Sequence, residues 1–300
     1  MKLIKSPVHY GLLVVLSLLL YSCNKVENPF EGIENGGGVN PVISSADSIW
    51  GDTGNTTIRK MLIEEFTGEQ CGFCPPKTKL IVDWADTEFK GKVYSIVYHA
   101  GVYAEPNAKY PNDHRTIKGT DFYDNLGIAS APVALFSRLE LYGSLVIQGA
   151  KFEAEFRKLE TSGYFNNPKI HIKTLNLYDR DENSNRIIVT ATALSELKEP
   201  HTVIIYITED PVIGDQVDYD QDPKDLHNYP HRHMFRDAIG PLDGNAFIDS
   251  DLAVGESVTK TYSTTLDASK WDPSKVNFTI AIRNNTTGEI IQVDEVHARK

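Results

Sequence analysis

The hydrophobic pattern of this chain changes period near Pro168, and no other feature restricts its fold as strongly. Ahead of that point, apolar residues recur at helical spacing in three stretches. In "PPKTKLIVDWADTEF", Leu80, Ile81, Trp84 and Phe89 share one face, with the prolines confined to the first turn, where they are tolerated. A shorter helix is predicted near Thr116 to Leu126. A third lies in "AKFEAEFRKLETSG", where Phe152, Phe156 and Leu159 align and Gly163 supplies a stop. Between them are strand-like runs: "TIRKMLIEEF", the continuously apolar "KVYSIVYHAG", a strand beginning near Pro132 in "GIASAPVALFSRLEL", and an edge strand in "YGSLVIQG". The order is β-α-β-α-β-β-α over residues 57–165, an α/β domain of ordinary size. Beyond Pro168 no comparable helical period survives. Six runs, "KIHIKTLNL", "NRIIVTATAL", "HTVIIYITED", "SVTKTYSTTL", "KVNFTIAIRN" and "GEIIQVDEV", are β-rich, and "NTTG" joins the last two in a hairpin. They predict an antiparallel, immunoglobulin-like β-sandwich over residues 168–300, with a long polar insertion at 211–247. The fold class is α/β plus all-β, and 300 residues suffice for two domains that each bury a core.

The N-terminus has a separate purpose. Lys2 and Lys5 precede an apolar run from Gly11 to Leu20 that is too short to span a bilayer, the pattern of an export signal over residues 1–22. Leu20-Tyr21-Ser22-Cys23 resembles the lipobox of bacterial lipoproteins. That resemblance implies cleavage before Cys23 and acylation of Cys23, so that the partner is a membrane reached through a lipid anchor. Asn24 in the next position resembles lipoproteins sent on to the outer membrane. Residues 23–56, rich in Gly, Asn, Pro and Ser, read as a flexible tether with a reach of about 30 Å, with order expected to begin near Trp50. No later stretch is apolar enough to span a bilayer. The net charge of −11 disfavours nucleic acid as a partner.

With Cys23 assigned to the lipid, Cys71 and Cys74 are the remaining cysteines. A structural zinc site needs four ligands, and no second C-x-x-C supplies the other pair. As a staple the pair closes too small a ring to constrain the unfolded chain much. Exchange chemistry explains the spacing better. Cys71 just ahead of a predicted helix would have its thiolate favoured by free backbone N–H groups and the positive end of the helix. Of the two glutamates in the preceding strand, alternation in a half-buried strand turns one inward, and Glu65 is favoured because Leu62 and Ile63 cannot both be core there. Buried, Glu65 could accept the Cys74 proton. His99 ends the neighbouring strand on the same side, where as a cation it could lower a thiol pKa. His227, His231 and His233 in "HNYPHRH" read as solvated loop residues, and the acidic triplets at 179–183 and 218–222 lack the glycine and glutamate of a calcium loop. No metal or other cofactor is expected.

Three separated points resemble the thioredoxin superfamily. Cys71-Gly72-Phe73-Cys74 lies between strand and helix and is followed by Pro75, and "LGIASAPV" looks like the segment carrying the superfamily's cis-proline, at Pro132. Glu65 stands six residues before the first cysteine, where thioredoxins keep a buried aspartate. Gln70 departs from the pattern, replacing a tryptophan. The resemblance implies Cys71 as exposed nucleophile, Cys74 as resolving thiol, and a cis Pro132 that leaves the Ala131 backbone free to pair with an extended substrate. Across the chain from Cys23 onward, the lipobox, the tether, "EEFTGEQCGFCP", "YHAG" and "NYPHRHMFRDAIG" resemble the outer membrane protein 28-related lipoproteins of Gram-negative bacteria. This implies an outer-membrane lipoprotein, periplasmic or surface-exposed.

Two functions compete: thiol-disulfide exchange on extracytoplasmic proteins, and non-catalytic surface binding or antigenic display that uses the thioredoxin fold as a scaffold. A catalyst needs an open surface around Cys71 and Pro132. A scaffold tolerates a cover, supplied by the second domain or by residues 211–247.

Overall fold

A computed structural model describes residues 46–51 and 57–299 of the chain. The expected signal peptide, Cys23 and most of the tether lie outside the described residues. The tether's last part is not loose, because Ala46–Trp50 forms strand β1, paired antiparallel with Leu175–Asp179. Order therefore begins earlier than Trp50.

The next elements follow the predicted order. They are β2 (Met61–Thr67), α1 (Pro75–Asp83, continued by a π-helical turn Trp84–Glu88), β3 (Val93–His99), α2 (Ile117–Asn125), β4 (Val133–Phe136), β5 (Ile147–Gln148) and α3 (Phe152–Thr161). Pro75 and Pro76 open α1 without costing it a hydrogen bond. Thr116 caps α2, its Oγ1 accepting from the Gly119 N–H at 3.0 Å. Strand β2 lies between β3, parallel to it, and β4, antiparallel. Every one of its residues is buried. The expectation of a half-buried β2 thus fails. Leu62 and Phe66 pack on one face with Tyr98 and Tyr123, while Met61 and Ile63 pack on the other with Ile81, Trp84 and Phe156.

The remaining strands are β6 (Ile170–Asp179), β7 (Ser184–Ala193), β8 (His201–Glu209), β9 (Val212–Val217), β10 (Asp225–His231), β11 (Met234–Ile239), β12 (Asn245–Ile248), β13 (Ser257–Thr265), β14 (Val276–Asn284) and β15 (Ile290–His297). All six predicted β-runs are strands, and β14–β15 is the expected hairpin. The stretch 211–247 is not a polar loop, because it holds β9 to β12.

The predicted boundary near 165–168 does not divide the sheets. Strands β1, β6, β7 and β13 make a four-stranded sheet, but β15-β14-β8-β11-β3-β2-β4-β5, with β12 also on β8, make one nine-stranded sheet that draws on both halves of the sequence. The described residues all fall in one compact unit. The join is β11: it pairs antiparallel with β8 on one side, and on the other the Val97 N–H donates to the His233 carbonyl at 2.9 Å. Phe235 of β11 packs on Tyr98 of β3 and Tyr206 of β8, with ring centroids 4.5 and 6.3 Å away. Without β11, β3 would expose a long edge. On one face of the large sheet, α1 and α3 cover the β2–β4 end. On that face the four-stranded sheet covers β8, β14 and β15 across a core that includes Ile172, Val189, Ile205 and Ile280.

Candidate functional site

The cysteine loop leaves the C-terminal end of β2. Register places Thr67 beside His99 and Phe66 beside Val133, so the loop, the end of β3 and the segment entering β4 meet at one end of the sheet. Cys71 and Cys74 are disulfide-bonded. Cys74 is the N-cap residue of α1, and its carbonyl accepts from the Lys77 and Thr78 N–H groups, both at 2.9 Å. The Ala131–Pro132 peptide bond is cis, and the Pro132 carbonyl accepts from the Gly149 N–H at 2.9 Å. Gln70 ties the loop to its neighbour: its N–H donates to the Tyr103 carbonyl at 3.0 Å, and its side-chain oxygen accepts from Asn107 at 2.7 Å.

The expected exposed nucleophile is not exposed. Cys71 is 3% and Cys74 1% accessible, whereas Phe73 between them is 67% accessible. The β9–β10 segment makes the cover. The Val217 N–H donates to the Glu69 carbonyl at 2.7 Å and the Tyr219 N–H to the Gly72 carbonyl at 2.9 Å. Gln216 Nε2 donates to the Cys71 carbonyl at 3.2 Å. Tyr219 lies so close that a Cβ on Gly72 would stand 2.6 Å from its ring, a contact that only glycine permits. The Phe73 ring meets Tyr219 edge-on at 4.9 Å. The other flank, between α1 and β10, is a groove of about 350 Å³ lined in part by Pro75, Thr78 and Tyr229.

Glu64 and Glu65 are both fully buried, on opposite faces of β2. Glu65 faces α1, where Thr78 Oγ1 donates to its Oε1 at 2.9 Å, and its Oε2 has no partner among the described residues. Burial pushes its pKa up to about 8 against the smaller, opposing effect of Thr78, so the carboxyl carries a proton at neutral pH. Glu64 faces the other way. Arg138 grips it from Nε at 2.7 Å and Nη2 at 2.9 Å, and the hydroxyls of Tyr98 and Tyr206 donate to it at 3.1 and 3.0 Å.

His99 is 2% accessible, and neither ring nitrogen has a partner among the described residues. Burial first, then His231 and His114 beside it, hold its pKa well below the usual histidine range. These surroundings favour the neutral ring, against the expectation of a cationic His99 assisting a thiolate. It belongs instead to a triangle of imidazoles: its centroid is 5.3 Å from that of His114 and 4.8 Å from that of His231, and those two are 5.4 Å apart. Glu69 joins them, its Oε1 3.0 Å from His114 Nε2, and Glu69, His114 and His231 offer ligand atoms within 4.8 Å of one another. Burial pushes His231 down to about 4, and its Nε2 lies 3.1 Å from the Asp215 carbonyl oxygen. The three histidines expected to be solvated loop residues part company, since His227 is exposed but His231 and His233 are buried. His227 is exposed and bonded to Asp215 at 2.7 Å, and His233 turns to Asp86 at 3.2 Å, leaving His231 alone in the cluster. Glu69 and His114 went unnoticed in the sequence because nothing local marks them; their partners come from strands far along the chain. The acidic triplets are turns, with Asp179 accepting from the Asp181 and Glu182 N–H groups and Asp218 from that of Asp220.

A family model described as outer membrane protein Omp28 matches residues 121–300. No curated protein matches the chain. Among solved structures, HBP35 of Porphyromonas gingivalis is similar over 81% of this chain and 76% of its own length, with a TM-score of 0.58 at 16% identity, a likeness of fold. A domain of the outer membrane lipoprotein Omp28 from the same organism is similar over 44% of this chain and 89% of its own, with a TM-score of 0.28 at 15% identity.

Proposed function

The chain belongs to the Omp28 family of outer membrane proteins, and we propose that it is a lipid-anchored binding protein whose thioredoxin-like scaffold holds the Cys71–Cys74 disulfide out of exchange. The observation that carries this reading is the cover: β9 and Tyr219 lie across the loop, and both cysteines are buried. An attacking thiolate must reach a sulfur in line, and exchange rates depend on that access. The thioredoxin-like assignment is supported by the order β-α-β-α-β-β-α, by the cysteine pair at the start of α1 and by Pro132 just ahead of β4. The anchor is supported by the apolar run that ends at Cys23. Among the described residues no helix is long and apolar enough to cross a membrane.

A second reading, exchange by an opened form, is favoured by Glu65. It is a buried carboxyl holding a proton beside Thr78, one turn beyond Cys74, where a proton donor and acceptor for the resolving thiol belongs. One experiment separates the two. The full chain and its Tyr219→Ala variant are equilibrated with defined thiol buffers and trapped by alkylation, in parallel with an insulin-reduction assay. The binding reading expects no insulin turnover by either protein and reduction of the native pair at least about tenfold slower than in the variant, the effect of restricted access. Insulin turnover by the native chain would establish exchange; turnover by the variant alone would establish the opened form.

A further inference from the structure

The histidine cluster has no use in either reading of the disulfide. Its four members come from four places: Glu69 from the cysteine loop, His99 from the end of β3, His114 from the segment before α2, and His231 from the end of β10. Three imidazoles, which are borderline donors, with one carboxylate are a set that late first-row divalent metals select. Two further observations point to a ligand. His99 is buried with both ring nitrogens unpartnered among the described residues, packed edge-on against the rings of His114 and His231. A buried polar ring without a hydrogen bond is costly unless something else satisfies it. The second is Gly214 of β9. A Cβ built there would lie 3.0 Å from Glu69 Oε1, 3.1 Å from His114 Nε2 and 3.2 Å from His231 Nε2. The three donor atoms thus gather over the Gly214 Cα, and the absence of a side chain at position 214 leaves them room to converge.

We propose that Glu69, His99, His114 and His231 form a binding site for a divalent first-row transition metal ion, with zinc the type case. Glu69 Oε1, His114 Nε2 and His231 Nε2 supply three ligands, and His99, buried beside them with both ring nitrogens unpartnered among the described residues, has to swing in from outside that set to supply the fourth. Zinc–nitrogen and zinc–carboxylate bonds of about 2.0–2.2 Å require the three donors, which lie within 4.8 Å of one another, to draw together around an ion held clear of the Gly214 Cα. On binding, His231 gives up its contact with the Asp215 carbonyl and the Glu69–His114 contact is replaced by shared coordination, the Nε2 proton of each imidazole shifting to Nδ1 so that Nε2 is free to ligate. No thiol takes part. The site stands whether the Cys71–Cys74 pair is closed or exchanging, so its test is separate from the test of the disulfide.

The full chain, stripped with a chelator and with its disulfide intact, is titrated with zinc chloride against a chromophoric chelator. One ion per chain is expected, and X-ray absorption of that complex should give nitrogen and oxygen at about 2.0–2.2 Å without sulfur at about 2.3 Å. His231→Ala and Glu69→Gln should weaken binding at least about 100-fold. Gly214→Ala, which deletes no ligand but crowds all three donor atoms, should weaken it at least about tenfold. His227→Ala, exposed and outside the cluster, should change nothing. Zinc should raise the melting temperature of the native chain and not that of the ligand variants, whose apo melting curves report whether they fold. Retention of no zinc, sulfur in the first shell, or unchanged affinity in a folded His231→Ala variant would each overturn the assignment. The absorption spectrum of the native chain decides even if a variant does not fold.

Discussion

Glu64 and Glu65 are neighbours in sequence and equally buried, yet the molecule treats them as different chemical problems. On Glu64's face, β4 ends in a turn that holds Ser137 and Arg138 at φ of 47° and 51°. The Ser137 N–H donates to the Leu62 carbonyl at 2.7 Å, and its hydroxyl accepts from Tyr164 at 2.7 Å, so this left-handed backbone is locked from several sides. The turn aims Arg138 back beneath the sheet, where it meets Glu64 in two hydrogen bonds with the Tyr98 and Tyr206 hydroxyls completing the shell. On Glu65's face, helix α1 offers a single Thr78 hydroxyl and no cation. A buried carboxylate needs charge and hydrogen bonds in compensation, and where they are missing the group takes a proton instead. One strand thus carries an ion pair on one side and a neutral acid on the other. The difference lies in what packs above each residue.

The comparison breaks most visibly at Arg138. Arg138→Met would leave Glu64 buried without its cation and should cost about 3–5 kcal/mol in chemical denaturation. The double variant with Glu64→Gln should recover much of that loss, since removing both partners costs less than orphaning one. If the single variant were as stable as the double, Glu64 would not depend on Arg138, and the contrast with Glu65 would collapse.

Glu65 should show its difference as a pH dependence. Below its ordinary pKa of 4.5 the carboxyl is protonated in both folded and unfolded chains. Between 4.5 and about 8 the unfolded chain has lost the proton while the folded chain retains it. The folded state then binds more protons, so stability falls as pH rises, by about 1.4 kcal/mol per pH unit for this group, and levels off above the folded pKa. Glu65→Gln removes the titration. Subtracting its stability curve from that of the native chain should leave this slope between about pH 5 and 8; a flat difference would mean that Glu65 ionises on folding as freely as in water.

The same strand shows what the sequence could and could not disclose. Residues that obey a local period were legible: the helices from their apolar faces and leading prolines, and the six β-runs from their β-branched residues. Alternation put Glu64 and Glu65 on opposite faces, but the inference that only one is buried rested on a half-buried strand, and β2 is covered on both sides. Its covers are α1 and α3 on one face and residues such as Tyr98, Tyr123 and Tyr206 on the other, and the sheet that carries it is extended by a strand from far along the chain. Strand β11, with "MFRDAI", carries arginine and aspartate between its apolar residues and joins β3 through one bridge, Met234 to Val97, so neither composition nor period distinguishes it from a loop. Tyr219 over Gly72 and the convergence of residues 69, 99, 114 and 231 are likewise consequences of that joining. "HNYPHRH" drew the eye because its histidines are close in sequence, but the register shift between Leu226 and Tyr229 and the left-handed backbone at Asn228 and His233 break the regular strand that would have kept them on one face. The histidines that do meet are dispersed along the chain.

Thr78 is the smallest lever and the sharpest. Its hydroxyl gives the single hydrogen bond that Glu65 accepts among the described residues, and it opposes the burial that raises the Glu65 pKa. Thr78→Val keeps the shape and deletes the donor, so the native acid should lose about 1 kcal/mol, the usual net worth of one such bond. The more telling effect is on the titration. Without that donor the ionised form loses its one source of support, the folded pKa moves above about 8, and the pH at which stability stops falling moves up with it. A break that stayed in place would show that Glu65 gains nothing from the helix above it. A break that moved would give the measured share of one hydroxyl in a site where, on the opposite face, a guanidinium and two phenols surround its neighbour.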